Sequence, residues 1–236
     1  MKEVLKCLEA ILYRGYSSYT IFNDWLDLMI FALQRDDEHY LEIVRKYKNT
    51  AKQGEREIDY FCKAFACLQL EMQKTNDDVL GLLYMQWNQF NKYRGQFFTP
   101  KHIACFMAKM LEPKGRIIDP CCGSGIMLVE ALKTMDNDKL DKAVFFGQDI
   151  DLTCAKMCAL NLLFFNVNGF VVWGDSLALE CKKVYGTARS YLGGSIRELT
   201  DPELEIFKTS YVPSVKKLIE TKPILETQTE EQLSFF

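Results

Sequence analysis

The sequence predicts an α/β protein in which a helical region precedes a parallel sheet. Before about residue 91, apolar side chains recur every three to four positions, which is the period of an amphipathic helix. From residue 116 onward, short apolar runs alternate with helical stretches in the order strand, helix, strand, helix, strand. That order is typical of a parallel sheet with right-handed crossovers.

The first 91 residues divide into four predicted helices. Their apolar stripes cover Phe22–Leu33, Tyr40–Tyr47, Ile58–Met72 and Val79–Trp87. The polar run Asn76–Asp78 offers N-caps for the last of them. Stripes of this kind usually face a protein core, so we interpret these aromatic residues as structural.

The sheet region begins after a loop at 94–100, whose Thr-Pro pair predicts the start of a helix through Leu111 with proline in its first position. Three strands and two helices follow in the predicted order: Arg116–Asp119, Ile126–Lys133, Ala143–Gly147, Leu152–Phe165 and Phe170–Trp173.

No clear period remains between Leu177 and Ile196, and Asp201–Pro202 predicts a helix start. We therefore divide the chain into a helical domain at 1–92, an α/β domain at 93–208 and a polar tail at 209–236.

Composition excludes several classes of protein. No window of eighteen apolar residues is present, which argues against a membrane-spanning helix. Nine cysteines occur without a CxxC pair and with only two histidines, so neither a zinc site nor a disulfide framework is expected. Reduced thiols in the cytoplasm fit best. The net charge of −3 gives no sign of strong DNA binding by the chain alone.

Chemistry-bearing residues cluster at the predicted ends of the three strands. Asp119 opens the glycine turn 120–125, Asp149 follows the second strand, and Asp175 follows the third. Glycines let a backbone approach a ligand closely, and an acid at a strand end can accept hydrogen bonds from ribose hydroxyls. Because ligands of parallel sheets bind beyond the carboxyl ends of the strands, this pattern predicts a nucleoside-cofactor site.

These motifs resemble those of the adenine-specific N-6 DNA methylases, and in particular the modification subunit of type I restriction–modification systems. The resemblance covers roughly residues 22–177 and depends on five segments in order: Asp78–Tyr84, Gly95–Pro100, Asp119–Gly125, Gly147–Asp151 and Gly174–Leu177. It implies a Rossmann-like sheet of the S-adenosylmethionine-dependent methyltransferase type, abbreviated here and preceded by an all-helical domain.

The resemblance also implies a set of cofactor-binding residues. Phe98, Thr99 and Pro100 would border the methionine end of S-adenosylmethionine. The turn around it would be formed by Asp119, Cys121, Gly123 and Ser124. Asp149 would hold the ribose, and Asp175 would approach the adenine amino group. Apolar walls are expected from Val172, Ile150 or Leu177.

One motif of the family is missing. Such enzymes carry an Asn or Asp, two prolines and an aromatic residue after the third strand, where they hold the target amino group and stack on the extruded base. The only Asp-Pro pairs here are Asp119–Pro120, inside the turn, and Asp201–Pro202. The catalytic residues are therefore unknown.

The C-terminal peptide resembles the short motif by which bacterial replication and repair proteins dock on the sliding clamp. It consists of Gln232, Leu233, Ser234, Phe235 and Phe236. An exposed peptide can place a leucine and two aromatic rings in a groove. Chance, or packing against this protein's own core, is the alternative explanation.

Three functions follow as hypotheses. The first is an adenine-N6 DNA methyltransferase that relies on a partner for specificity or for the missing catalytic residues. The second is a catalytically inactive cofactor-binding module that regulates or assembles other proteins, bound in one version to the clamp. The third is a methyltransferase acting on a substrate other than DNA.

Overall fold

A computed structural model describes residues 1–87 and 97–209. Helices form the first part of the chain: α1 (Lys2–Leu12), α2 (Ser18–Gln34), α3 (Asp37–Lys46), α4 (Glu57–Thr75) and α5 (Val79–Trp87). The second part consists of α6 (Lys101–Leu111), β1 (Arg116–Asp119), α7 (Ile126–Lys133), α8 (Asn137–Lys142), β2 (Val144–Asp149), α9 (Leu152–Phe164), β3 (Gly169–Trp173), β4 (Lys183–Ala188) and β5 (Ser195–Glu198). A helix over 201–209 follows.

The five strands form one mixed sheet in the order β1-β2-β3-β4-β5. β1, β2 and β3 are parallel, so their carboxyl ends share one edge, with Asp119 opposite Gly147 and Asp149 opposite Trp173. β4 pairs antiparallel with β3, and β5 pairs antiparallel with β4. The predicted α/β class, the three parallel strands and the helices between them are confirmed.

Helices α1 and α8 have no counterpart among the predicted elements, and two further features differ from the prediction. The segment in which no period was found contains β4 and β5, so the sheet is mixed rather than wholly parallel. Pro100 is the N-cap of α6, with φ −60° and ψ 138°, and Lys101 is its first helical residue. The residue before the first helical turn keeps extended backbone, and proline tolerates that conformation as well as the first helical position.

Helix α9 lies between the helical region and the sheet. It packs against β2, β3 and β4 on one side and against α2 on the other. An ion pair of 2.6 Å joins the buried Lys156 of α9 to the half-buried Asp27 of α2, and Thr153 donates a hydrogen bond of 2.9 Å to Asn23. As a result, one cluster of buried apolar residues runs from Val4 through the sheet to Ile196. The division into domains at residue 92 stays a prediction.

A second, smaller apolar cluster covers the opposite face of the sheet. Its buried members are Val172, Val184, Leu199 and Phe207. The helix over 201–209 supplies Phe207, which contacts the ring of Phe170 at a centroid distance of 5.2 Å. This packing closes the sheet on the side away from α9.

Two sequence predictions lie outside the described residues. They are the loop residues 94–96 and, apart from Thr209, the tail 209–236 with its clamp-like peptide. Among the residues described, no helix is long and apolar enough to cross a membrane.

Candidate cofactor-binding site

The turn after β1 is held in a conformation that requires glycine. Gly123 and Gly125 have φ values of +54° and +93°, in the left-handed region that other residues rarely adopt. Gly125 is the N-cap of α7, and its amide donates to the carbonyl of Cys122 at 2.8 Å. The amide of Cys122 donates to the carbonyl of Gln148 at 2.9 Å, which ties the turn to the end of β2.

Asp149 joins the end of β2 to this turn. Its Oδ2 accepts a hydrogen bond of 2.8 Å from the Gly123 amide, and its Oδ1 accepts one of 2.9 Å from the Asp151 amide. Each carboxylate oxygen has a second lone pair, so both can still accept from a ligand. Asp149 therefore fixes the turn and keeps capacity for hydroxyl donors.

Asp119 and Asp149 carry negative charge that no described cation neutralises. Neither residue has an ion pair within residues 1–87 and 97–209. Burial raises the pKa of each carboxyl above its ordinary value, and the charge of Asp149 raises the pKa of Asp119 further. Two uncompensated, partly desolvated carboxylates favour a ligand that carries positive charge.

Phe98 packs directly on the glycine turn. A Cβ atom added to Gly123 would lie 3.1 Å from two atoms of the Phe98 ring. On its other side, the ring stacks on Tyr84 of α5 at a centroid distance of 5.6 Å and an interplanar angle of 20°. Phe98 thus connects α5 to the turn.

Thr99 and Pro100 lie beside Phe98 on the wall of a small cavity. Its lining also includes Asp77, Asp78, Gly81, Leu82, Met85, Lys101 and Ile126. Lys101 pairs with Asp77 at 2.6 Å, so these two charges on the cavity wall neutralise each other.

The end of β3 is brought toward the turn through Ser176. Its Oγ lies 3.9 Å from the exposed Cys121 Sγ. Asp175 Oδ1 accepts hydrogen bonds from the amides of Leu177 and Ala178, at 2.9 and 3.2 Å, and so orders the turn that follows β3. Asp175 is half-buried, at the same sheet edge as Asp119 and Asp149.

Ser124 faces the protein interior instead of the strand ends. Its side chain is fully buried, and its hydroxyl donates to Asp78 Oδ2. What this residue can offer a ligand is therefore limited to its backbone. The sequence gives no signal for that orientation.

Of the three predicted wall residues, Val172 is fully buried in the cluster on the far face of the sheet, away from α9. Ile150 and Leu177 are 65% and 90% exposed at the strand ends and remain candidates.

Gln148 is a further residue of the site that sequence reasoning missed. It is 1% exposed, and its Nε2 donates to the carbonyls of Gly174 and Glu180, at 3.2 and 2.9 Å. It therefore links β2 to the segment after β3. A glutamine next to an acid at a strand end has no pattern that distinguishes it from a surface residue.

Asp201–Pro202 does not lie at a strand end. The pair opens the helix over 201–209, where the Glu203 carboxylate accepts from the Thr200 amide and hydroxyl, each at 3.0 Å. This is a helix-capping arrangement, and it confirms the predicted helix start. No group of His, Cys, Asp and Glu suited to a metal ion occurs among the residues that the structure describes.

The fold places the protein in a class: an α/β protein whose parallel strands β1, β2 and β3 are connected through helices in a Rossmann-like arrangement. Residues 75–188 match the family described as N-6 DNA Methylase. This match confirms, over that segment, the resemblance inferred from the sequence.

The chain is also similar in sequence to individual type I restriction enzyme methylase subunits. The chain is 28% identical over 107 residues to the Type I restriction enzyme MpnII methylase subunit of Mycoplasma pneumoniae, a match covering 42% of this chain and 20% of that protein. It is 25% identical over 143 residues to the MjaIX methylase subunit of Methanocaldococcus jannaschii, covering 57% of this chain and 26% of that one. The matches thus span a fifth to a quarter of these relatives.

Among solved structures, the type I restriction-modification system methyltransferase subunit from Streptococcus thermophilus is similar. The identity is 18%, the TM-score is 0.41, and the alignment covers 74% of this chain and 39% of that one.

Proposed function

We propose that this chain binds S-adenosylmethionine and is the cofactor-binding part of an adenine-N6 DNA methylase. The observation that carries the proposal is the 2.8 Å hydrogen bond from the Gly123 amide to Asp149. It joins the glycine turn after β1 to a strand-end carboxylate with free lone pairs, inside the segment that matches the N-6 DNA methylases.

The chemistry of the site suits the three parts of this cofactor. Asp149 can accept from the two ribose hydroxyls. The uncompensated carboxylates of Asp119 and Asp149 complement the positive charges of the sulfonium and the α-ammonium group. Phe98, Ile150 and Leu177 offer apolar surface for the base and the methionine chain. When bound, the cofactor supplies an activated methyl group.

The acceptor in the proposed reaction is the amino group of an adenine in DNA. The sequence has no Asn/Asp-Pro-Pro-aromatic motif to hold that amino group, and the chain carries a net charge of −3. We therefore propose that a second polypeptide supplies the catalytic motif and much of the DNA contact. The cytoplasm remains the proposed location, and docking of residues 232–236 on a sliding clamp remains a prediction.

Two experiments test the proposal, first calorimetry and then a methyl-transfer assay. The full chain should bind S-adenosylmethionine and S-adenosylhomocysteine with saturable heats, and absence of binding would refute the proposed function. Radiolabelled transfer to N6 of adenine in duplex DNA would establish the enzyme. Cofactor binding without transfer, even with candidate subunits added, would favour the catalytically inactive cofactor-binding module.

Acidification should weaken cofactor binding before it unfolds the protein. Burial raises the pKa of Asp119 and Asp149, so both carboxyls gain protons at a higher pH than ordinary aspartates and lose their attraction for a cation. Because their pKa in the folded state exceeds that in the unfolded state, protonating them favours the folded protein. Binding should therefore begin to fall at a pH above the range in which ordinary aspartates gain protons, while the fold persists.

The comparison of two ligands provides the control for this pH effect. S-adenosylmethionine carries the sulfonium charge and S-adenosylhomocysteine does not, so the affinity of the first should fall more steeply. Calorimetry at several pH values, with circular dichroism on the same samples, measures both quantities. Equal slopes for the two ligands would contradict the proposed role of these carboxylates.

A further inference from the structure

Three polar side chains from separate elements meet in the interior, behind the glycine turn. Asp78 precedes α5, Ser124 belongs to the turn, and Asn161 lies on α9. They are 3%, 0% and 0% exposed, respectively. We call these three residues the buried polar cluster.

Hydrogen bonds connect every member of the cluster. Asp78 Oδ2 accepts from the Ser124 hydroxyl, and Asp78 Oδ1 accepts from Asn161 Nδ2 at 2.7 Å and from the Gly81 amide at 2.8 Å. Asn161 Nδ2 also donates to the backbone carbonyl of Ser124 at 2.8 Å. The carboxylate of Asp78 is thus the common acceptor for α5, the turn and α9.

Gly81 shows how closely α5 approaches the turn. A Cβ atom at this position would overlap the Asp78 carboxylate and the Ser124 side chain. Only a residue without a side chain allows the helix to lie against the turn in this way. In the segment Asp78–Gly81, Asp78 therefore supplies the hydrogen-bond acceptor, and Gly81 leaves the space that the Asp78 and Ser124 side chains occupy.

The cost of burying a carboxylate indicates that this arrangement is specific. Burial raises the pKa of Asp78 even though the donors of Ser124, Gly81 and Asn161 lower it. Asn161 Oδ1 has no hydrogen-bond partner among the residues that the structure describes. Buried polar groups are costly unless satisfied, so a simple core would use apolar residues here.

We propose that Asp78 is a positioning residue for the cofactor site, holding residues 123–125 in the conformation in which the Gly123 amide binds Asp149 and Phe98 packs on the turn. Ser124 is bonded through both its hydroxyl and its carbonyl, and it lies between the two glycines with left-handed φ. Without the carboxylate, the Ser124 hydroxyl loses its acceptor, and of these bonds only the one from Asn161 to the Ser124 carbonyl still holds the turn from the interior. This inference rests on the proposed function for its ligand.

Two substitutions of Asp78 distinguish a side chain that still accepts hydrogen bonds from one that cannot. In Asp78→Asn, the side-chain oxygen still accepts from Gly81 and Asn161, while the Ser124 hydroxyl can rotate to accept from the new amide. In Asp78→Ala, three donors lose their acceptor. Asp78→Ala should raise the dissociation constant of S-adenosylhomocysteine about tenfold or more, and Asp78→Asn should stay within about threefold.

A matched control is Lys156, which lies on helix α9 together with Asn161. Lys156 is 6% exposed and pairs at 2.6 Å with Asp27, whose side chain is 23% exposed, so Lys156→Met breaks a partly buried polar link away from the turn. This variant should lower the unfolding midpoint and leave the dissociation constant unchanged. If Asp78→Ala changes the dissociation constant no more than Lys156→Met does, the proposal is overturned.

A second readout needs no cofactor. Cys122 is 4% exposed within the turn, and Cys154 is 1% exposed on α9, so alkylation by iodoacetamide reports local opening at each site. In Asp78→Ala, Cys122 should be alkylated several times faster than in the wild-type protein, whereas the alkylation rate of Cys154 should be unchanged. Labelling of Cys122 at the wild-type rate would overturn the proposal.

This readout also distinguishes the two proposals. If the wild-type chain binds no cofactor, the proposed function fails, while faster labelling of Cys122 would still support the positioning role in the turn. Should Asp78→Ala not fold, Ser124→Ala provides the same comparison, because it removes one hydroxyl and leaves the backbone carbonyl for Asn161. We expect changes in the same direction and of smaller size.

Discussion

Replacing Gly125 with alanine should destabilise the protein by about 3 kcal/mol, from left-handed strain plus overpacking. The backbone at Gly125 has φ +93°, and an added Cβ would lie 2.9 Å from the Cys158 Sγ atom and 3.4 Å from the Cys158 Cα atom. The backbone of α9 cannot move away without disturbing the sheet it covers. Urea or thermal unfolding, followed by circular dichroism, measures the loss.

Gly54 provides the matched control for this prediction. Its φ is +91°, nearly the same as at Gly125, and no atom of the described residues lies within 4 Å of its added Cβ. Gly54→Ala should therefore cost only the backbone strain, about 1 kcal/mol. Equal losses for the two variants would show that the contact between the turn and α9 is looser than the structure indicates.

A double substitution identifies the atom responsible. Cys158→Ala removes the Sγ atom that an alanine at 125 would meet first. The combined variant should lose less stability than the sum of the two single variants, and the difference is the coupling energy between the positions. If the stability losses of the two single variants are additive, the added Cβ atom overlaps with the α9 backbone and not with the Cys158 Sγ atom.

The parts of the fold predicted from the sequence are those with a strong local signal. α7 begins and ends as predicted because a glycine turn precedes it and Thr134 ends its apolar period. β4 and β5 were missed because Gly186 interrupts a six-residue strand, and because both strands are stabilised by antiparallel pairing and β5 also by contacts with α2, far away in the chain. Such long-range packing leaves little local pattern.

The candidate site was predictable in its location and less so in its geometry. Strand-end acids are visible as Asp119, Asp149 and Asp175 once the strands are placed. The orientation of Ser124 was not, since a turn serine can face either the ligand or the interior. Asp78 was noted as part of a family segment, but its contact with Asn161, 83 residues away, has no counterpart in the sequence pattern.

Asp149→Ala should weaken S-adenosylmethionine binding about 100-fold or more, since each lost hydrogen bond to a charged group costs about 1.5–3 kcal/mol. The substitution removes the proposed acceptor for the ribose hydroxyls. It also leaves the Gly123 and Asp151 amides without the acceptors they have at 2.8 and 2.9 Å. Calorimetry of the purified variant, with circular dichroism as the test of folding, measures the effect.

Asp149→Asn should not restore cofactor binding, whereas Asp78→Asn should retain it. The amides of Gly123 and Asp151 donate to different oxygens of Asp149, so an asparagine amide group would have to face one of these donors. Neither backbone amide can reverse its role, whereas the Ser124 hydroxyl beside Asp78 can.

Asp151→Asn controls for the loss of one negative charge in the same loop. Asp151 caps α9 through the amide of Thr153 at 2.8 Å, and asparagine serves equally well as an N-cap. This variant should bind the cofactor within about threefold of the wild type, a difference below 1 kcal/mol. If Asp149→Asn binds as tightly as Asp151→Asn, the two-oxygen contact is not what holds the turn, and the site must be assigned to other residues.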